Sequence, residues 1–319
     1  MAFAYEGFGS DATGGIGDQT YIITSAKDQG SGTLRDALSQ GNRYIRFAID
    51  MPIHLSSPIV VNQLENITID GSSHHNLVIQ GYGLYFYHSK NIILENLKIR
   101  HTGIYGVLLT DHSNQMVLDH CSILDASEDS IDEGKNVDIT EGTHDITVSW
   151  SIIGYTKEDA LQVKTKGMLI ANFKDDPVTN ITLHHNIFFH NYQRSPQIST
   201  QGLFDVRNNL IFGWREYGMR FRAGAYGNLV SNQFIPDPYK PDAAVILTDD
   251  SGMWYANDNL GNNKLNPDKL VTSAYLVPSV TTDIVSHLKQ VLQDNVGALP
   301  QDAVDRKIIE KISQYINII

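Results

Sequence analysis

The chain has 319 residues, of which 41% are hydrophobic and 19% charged, and its formal net charge is −12. This is the make-up of a globular chain long enough for one extended domain or two ordinary ones. It excludes a nucleic-acid binder built on a basic stripe, and no apolar run reaches the ~20 residues needed to span a bilayer. An anionic polymer stays open as a partner, because a local basic cleft can sit on an acidic protein.

The first residues, MAFAYEGFGS, lack a basic end followed by an apolar stretch, so no signal peptide is read there. A glycine-rich segment, a short YIIT run and GSGTLRDALS follow. Ser31 to Leu38 reads as a short capped helix that would seal whatever comes next. Residues 1–50 are therefore expected to be an N-terminal cap.

From residue 66 a short motif recurs. Taking Ile67, Ile92, Met116, Ile146, Ile181, Phe204 and Leu229 as equivalents, the steps are 25, 24, 30, 35, 23 and 25 residues. Periods of that size mark a solenoid or an array. Each unit alternates apolar and polar residues, turns at Asn, His, Trp or Ser, and starts a second short strand. A coil of short parallel strands satisfies this pattern, each turn burying its apolar face on the next. Asn at the turns tolerates left-handed backbone angles and can stack along the axis. The two long steps imply insertions on one side of the coil, where binding faces collect. The single cysteine, Cys121, lies in an apolar strand pattern and is expected to be a buried small side chain, so no intrachain disulfide is available.

Residues 236–280 are rich in Pro and Asn and read as loops around late coils, so coils and loops together span 51–280. From Thr282 to Gln293 and from Asp302 to Asn317 the apolar spacing becomes helical, giving a helical C-terminal segment over 281–319. An axial coil closed by such caps is expected to be monomeric.

The stretch ITLHHNIFFHNYQRSPQIS, residues 181–199, holds His184, His185, His190 and Arg194, with Pro196 two places beyond the arginine. As turn residues of a coil, His184, His185 and Asn186 would simply stack. Adjacent strand residues diverge, which speaks against a metal held by the two histidines. The stretch closely resembles the signature of the pectate/pectin lyase family. RNNLIFGW at 207–214, LDHC at 118–121, ITVSW at 146–150 and the N-terminal EGFG…TGG…GTLRDAL are similar to family strands as well, so the resemblance covers about four-fifths of the chain.

That resemblance implies a right-handed parallel β-helix, secretion, and cleavage of a uronic-acid-containing, pectate-like polysaccharide by β-elimination, with Arg194 as the base. Calcium-dependent members hold the metal with three acids. Here the first of those positions is Gly106, the second is Asp138, and the third is Gly134 with Glu133 beside it. The acidic run SEDSIDEGKNVD adds Asp129, so the calcium candidates are Asp138, Glu133 and Asp129, and the same run reads equally as a solvated acidic loop. The family's substrate-binding lysine falls on Glu158 with Lys157 adjacent, and its second arginine falls on Ser199. Lys157, Lys164, His185, Arg215 and Arg220 are the substrate-binding candidates, with Lys166, Arg207 and Arg222 as further sources of charge.

Two other functions suit the same architecture. A glycoside hydrolase needs two carboxylates ~5–9.5 Å apart, for which Asp138 and Asp159 are candidates. A non-catalytic carbohydrate-binding or adhesion module needs only exposed aromatics, and the chain has fifteen tyrosines.

Overall fold

The computed structural model describes residues 5–126, 134–157, 164–261 and 265–316. It is a right-handed parallel β-solenoid of about nine turns. Among the described residues the strands form one ten-stranded and two eight-stranded sheets, and neighbouring strands pair in parallel. From Ile53–His54 to Trp254–Asn257 each turn contributes one strand to each sheet. The first sheet includes His144–Ser149 and Thr179–His184, the second Ile152–Gly154 and Ile187–Phe189, and the third Lys135–Thr140, Met168–Ala171 and Gln197–Ser199.

The repeat read from sequence is the lateral register of the first sheet. Ile67, Ile92, Met116, Ile146, Ile181 and Phe204 pair in succession and fill the interior. The last equivalence is off by two residues: Phe204 pairs with Gly227, and Leu229 pairs with Val206. A Cβ on Gly227 would lie 1.8 Å from the Phe204 carbonyl oxygen, so only glycine lets this turn close on the one before it. The sheet also reaches back beyond the repeat to Gln19–Ile23 and Arg43–Phe47.

The corners explain the recurring Asn. Residues of positive φ stand at equivalent bends, among them Asn96, His120, Trp150, His185 and Asn208. Immediately after the bend, the buried Asn186, Asn209 and Asn232 and the half-buried Asn259 form a ladder, the first three each donating from Nδ2 to the next Oδ1 at 3.0 Å. The same side chains donate to the backbone carbonyls of Val148, Leu183, Val206 and Leu229. The ladder thus satisfies polar groups that a tight corner would otherwise bury unpaired.

The capped helix expected over Ser31 to Leu38 is a single turn, Leu34–Ala37, with Thr33 as its cap. The glycine-rich N-terminal segment instead runs along the outside of the first sheet. There Gly9 N donates to Thr147 Oγ1 and Gly14 N to Asn91 Oδ1. Residues 236–280 are not all loop. Ala244–Thr248 and Trp254–Asn257 continue the third and first sheets, although their Asn- and Pro-rich flanks hide the alternation. The first C-terminal helix is shorter than its periodicity predicts, a 3₁₀ turn at Val285–His287 leading into Leu288–Gln293. The second covers Ala303–Ile316. Ile308, Ile309 and Ile312 pack against Leu124, Ile152, Ile187 and Leu210 on the outer face of the second sheet. Among the described residues no helix is long and apolar enough to cross a membrane.

Cys121 is buried, with its Sγ 3.5 Å from the Leu94 carbonyl oxygen, and burial pushes the thiol up to about 12. It is therefore a packing residue, as the strand pattern predicts.

Candidate active site

The outward face of the third sheet carries the site. Parallel pairing aligns Leu108, Asp138, Leu169, Gln197 and Arg220 in one row across five strands. Alternation sends Val137, Ile139, Met168, Ile170 and Ile198 inward to the core. Along this face runs a cleft of about 640 Å³, whose lining includes Tyr105, Lys135, Phe173, Arg194, Gln197 and Arg222. Among the described residues the lining carries cations and no carboxylate.

Arg194 enters the cleft from the turn before Gln197–Ser199. Its φ is +67°, a left-handed conformation uncommon for a side chain of this size. Neighbouring turns hold the backbone there. Met168 N donates to the Arg194 carbonyl at 2.7 Å, and Ser195 N donates to the Gly218 carbonyl at 2.8 Å. Asn191 Nδ2 bridges the Ser195 hydroxyl and the Ile153 carbonyl. The Ser195–Pro196 peptide is cis. Arg194 Nε is buried without a hydrogen-bond partner among the described residues, so one strong donor in the cleft wall is unspent. Strained backbone held on several sides is what a positioned functional group requires.

Lys135 and Asp138 adjoin it. Lys135 Nζ is 3.2 Å from Asp138 Oδ2 and 5.2 Å from the centre of the Tyr105 ring. Asp138 is 2% exposed and its Oδ1 has no described partner. Burial pushes its carboxyl up to about 6, against the opposing pull of Lys135 and Arg194 and with the help of Glu141. Glu141 is itself spent, accepting from the amides of Phe173 and Lys174 and so fixing the loop at the cleft mouth. On the other flank the buried Tyr217 hydroxyl donates to Gln197 Oε1, and Arg220 lies 5.5 Å from the Tyr217 ring centre. Burial raises the Tyr217 phenol, while Arg194 and Arg220 pull it down.

A carboxyl titrating near 6 is directly observable. Carbon NMR of labelled protein should show Asp138 titrating about two units above the ordinary ~3.9, its signal told apart from that of Asp305, which also lies near 6, by its loss in Asp138→Asn. Lys135→Met should move it higher still, since the ammonium is among the influences holding it down. An Asp138 that titrates at the ordinary value would refute the buried placement.

The other candidates distribute as follows. Arg220 lies in the cleft row, on the strand Tyr217–Arg222. Lys157 and Lys164 are exposed residues bordering the segment 158–163. Arg215 pairs with the buried Asp237 at 2.6 Å and is not in the described cleft lining. His185 is not brought to the cleft. It occupies the bend between the first and second sheets, stacked on Trp150 with ring centres 4.2 Å apart. Its Nε2 is 2.9 Å from Asp283 Oδ2, and its Nδ1 faces His184 Nδ1 at 2.9 Å. Burial pushes both imidazoles down, His184 furthest, so the pair packs the C-terminal segment as neutral rings. Asp129 and Glu133 lie outside the described residues, as do Glu158 and Asp159.

Calcium takes about six to eight oxygen ligands. Among the described residues Asp138 supplies one unspent oxygen, while its other faces an ammonium. Leu108 and Leu169 flank it in the row and donate nothing, and Gly106 has no side chain. No described group of three or more His, Cys, Asp or Glu is placed to hold a metal. The described donors therefore do not fit calcium.

Sequence reasoning missed Lys135, Tyr105, Phe173, Gln197 and Tyr217. Lys135 was hidden as the lone cation in an acidic run. The signal that could have found it was its place three residues before Asp138, at the entrance to a strand.

The family described as "Right handed beta helix region" matches residues 56–235. A "Probable pectate lyase C" of Emericella nidulans is 25% identical over an alignment covering 97% of this chain and 75% of that protein. A "Putative pectate lyase 21" of Arabidopsis thaliana is 28% identical, covering 89% and 74%. Among solved structures, pectate lyase Bsp165PelA from Bacillus sp. N165 in complex with trigalacturonate superposes with a TM-score of 0.71. It is 21% identical, covering 92% of this chain and 98% of that one, a likeness of fold.

Proposed function

Because this chain belongs to the right-handed β-helix family, as a divergent member of its pectate/pectin lyase group, we propose that it is a polysaccharide lyase that cleaves a uronate-containing, pectate-like polymer by β-elimination. The observation that carries this reading is Arg194, held in a left-handed backbone conformation on the wall of a cationic cleft.

Arg194 is the base in this reading. The C5–H bond of a bound uronate breaks and its proton passes to a guanidine nitrogen. The electron pair becomes the C4=C5 double bond, the C4–O4 bond breaks, and the departing chain takes a proton from water. The difficult moment is the negative charge that builds on the uronate carboxylate as C5 loses its proton, and cations in the wall stabilise it.

Hydrolysis is the weaker reading, because the described cleft lining offers no pair of carboxylates to stand on either side of a glycosidic bond. A binding module would leave the polymer uncut. The direct test is a panel of uronate polymers followed in the near ultraviolet. An unsaturated product supports the lyase, whereas cut chains that have gained water, or binding without cutting, overturn it. We further infer that the protein acts outside the cell as a monomer, where such a polymer would be met.

A further inference from the structure

A cation does face the substrate side of Asp138, and it belongs to the chain. The Lys135 side chain is only 9% exposed, yet it lines the cleft, whereas Asp138 is not among the lining residues. Lysine is rarely so enclosed unless paired. Here Asp138 holds its charge, and the face of Tyr105 adds a cation–π contact. A divalent ion drawn to Asp138 would meet this ammonium at close range and be repelled by it.

Building on the lyase reading, we propose that the Lys135 ammonium stands in for a divalent cation in this cleft, binding the carboxylate of the uronate seated against Arg194 so that the site works without calcium. Lys135 is then shared between Asp138 behind it and the sugar carboxylate in front. Asp138 acts as a positioning residue that fixes the ammonium. Among the described residues its row-mates, Leu108 and Leu169, offer no side-chain oxygen. Arg194 and Lys135 then divide the work, one at C5 and the other at the carboxylate whose charge grows as C5 is deprotonated.

The test uses the full chain and calorimetric titrations with calcium alone and with trigalacturonate, the latter in excess chelator and in excess calcium. Wild type should show no calcium isotherm. It should bind trigalacturonate with affinities that agree within about twofold in the two buffers, and form unsaturated product with chelator present. Lys135→Met should weaken trigalacturonate at least about tenfold, and Lys135→Arg, which keeps the charge, should recover most of that. Thermal melts of both variants separate lost binding from lost folding. A calcium isotherm that disappears in Asp138→Asn, trigalacturonate binding that requires calcium, or a folded Lys135→Met variant with wild-type affinity would each overturn the proposal and leave the lyase reading standing. A wild type that binds no trigalacturonate in either buffer overturns the proposed ligand of Lys135, and the lyase reading falls only if no uronate polymer of the panel yields unsaturated product.

Discussion

Arg194→Ala is expected to lower formation of unsaturated product by about a thousandfold or more, while the thermal midpoint moves by only a few degrees. Removing a positioned base costs roughly 10²–10⁴ in rate, and losing a basic side chain from the cleft wall weakens the hold on an anionic substrate besides. Stability should be nearly unaffected for a specific reason. The anchoring contacts at this position run through the backbone, from Met168 N to the Arg194 carbonyl and from Ser195 N to the Gly218 carbonyl, and alanine keeps them. The φ of +67° is a strain that arginine already bears, so alanine inherits it without adding to it. Arg194→Lys separates the two roles. It retains a positive charge near Asp138 but loses the planar fork, so it should hold substrate better than alanine while remaining severely slowed. Retained turnover in Arg194→Ala, with intact protein and unsaturated product, would remove Arg194 from the chemistry.

The legible part of this molecule is the part that repeats. A coil spaced at about two dozen residues prints its register into the sequence, because each inward position meets an apolar position in the next turn. Hence Ile67 to Phe204 align as their spacing predicts. The register slips where the final steps depend on a close backbone approach at Gly227, since a missing side chain leaves no hydropathy signal. Arg194 was legible because its neighbours carry a specific family motif. His185, inside that same motif, shows the opposite case: it is a stacking residue of the bend, and its partner Asp283 is far away in sequence and could not be foreseen. Lys135 was illegible because strand alternation assigns side chains to faces only within a regular strand. It stands at the turn into one, where the chain bends and the side chain reaches the same carboxylate that alternation places outward. The resemblance made Asp138 a calcium candidate, and the structure sets the Lys135 ammonium beside it, while Asp129 and Glu133 lie outside the described residues.

The largest stability effect should come from a residue outside the cleft, Arg100. It stands on the second sheet in the strand Lys98–Thr102 and receives the start of the last helix, Ala303–Ile316. Its guanidinium contacts Asp302 at 2.7 Å and Asp305 at 2.9 Å. Asp302 is partly exposed and also caps the helix, accepting from the amides of Val304 and Asp305. Asp305 is wholly buried, its other oxygen accepting from the Ser122 hydroxyl at 2.7 Å. Even with Arg100 present, burial pushes the Asp305 carboxyl up to about 6. Arg100→Met leaves that carboxylate without its counter-charge, and stranding one partner of a buried pair costs about 3–5 kcal/mol.

The pH dependence follows with a definite sign. A carboxyl whose value is raised in the folded state favours folding most below its unfolded value of about 3.9, and that advantage is lost as pH rises through the folded value. For wild type the window closes near 6. For Arg100→Met it extends upward, so the variant should lose stability with rising pH over a range in which wild type has already levelled off. Chemical denaturation at several pH values measures both quantities. Adding Asp305→Leu to Arg100→Met should recover much of the loss and flatten the extra pH dependence, because it removes the stranded charge and gives the Ile308 and Ile309 side of the helix more apolar surface to pack. If the single variant melts like wild type, the last helix does not depend on this ion pair and is held by its apolar contacts with the second sheet alone.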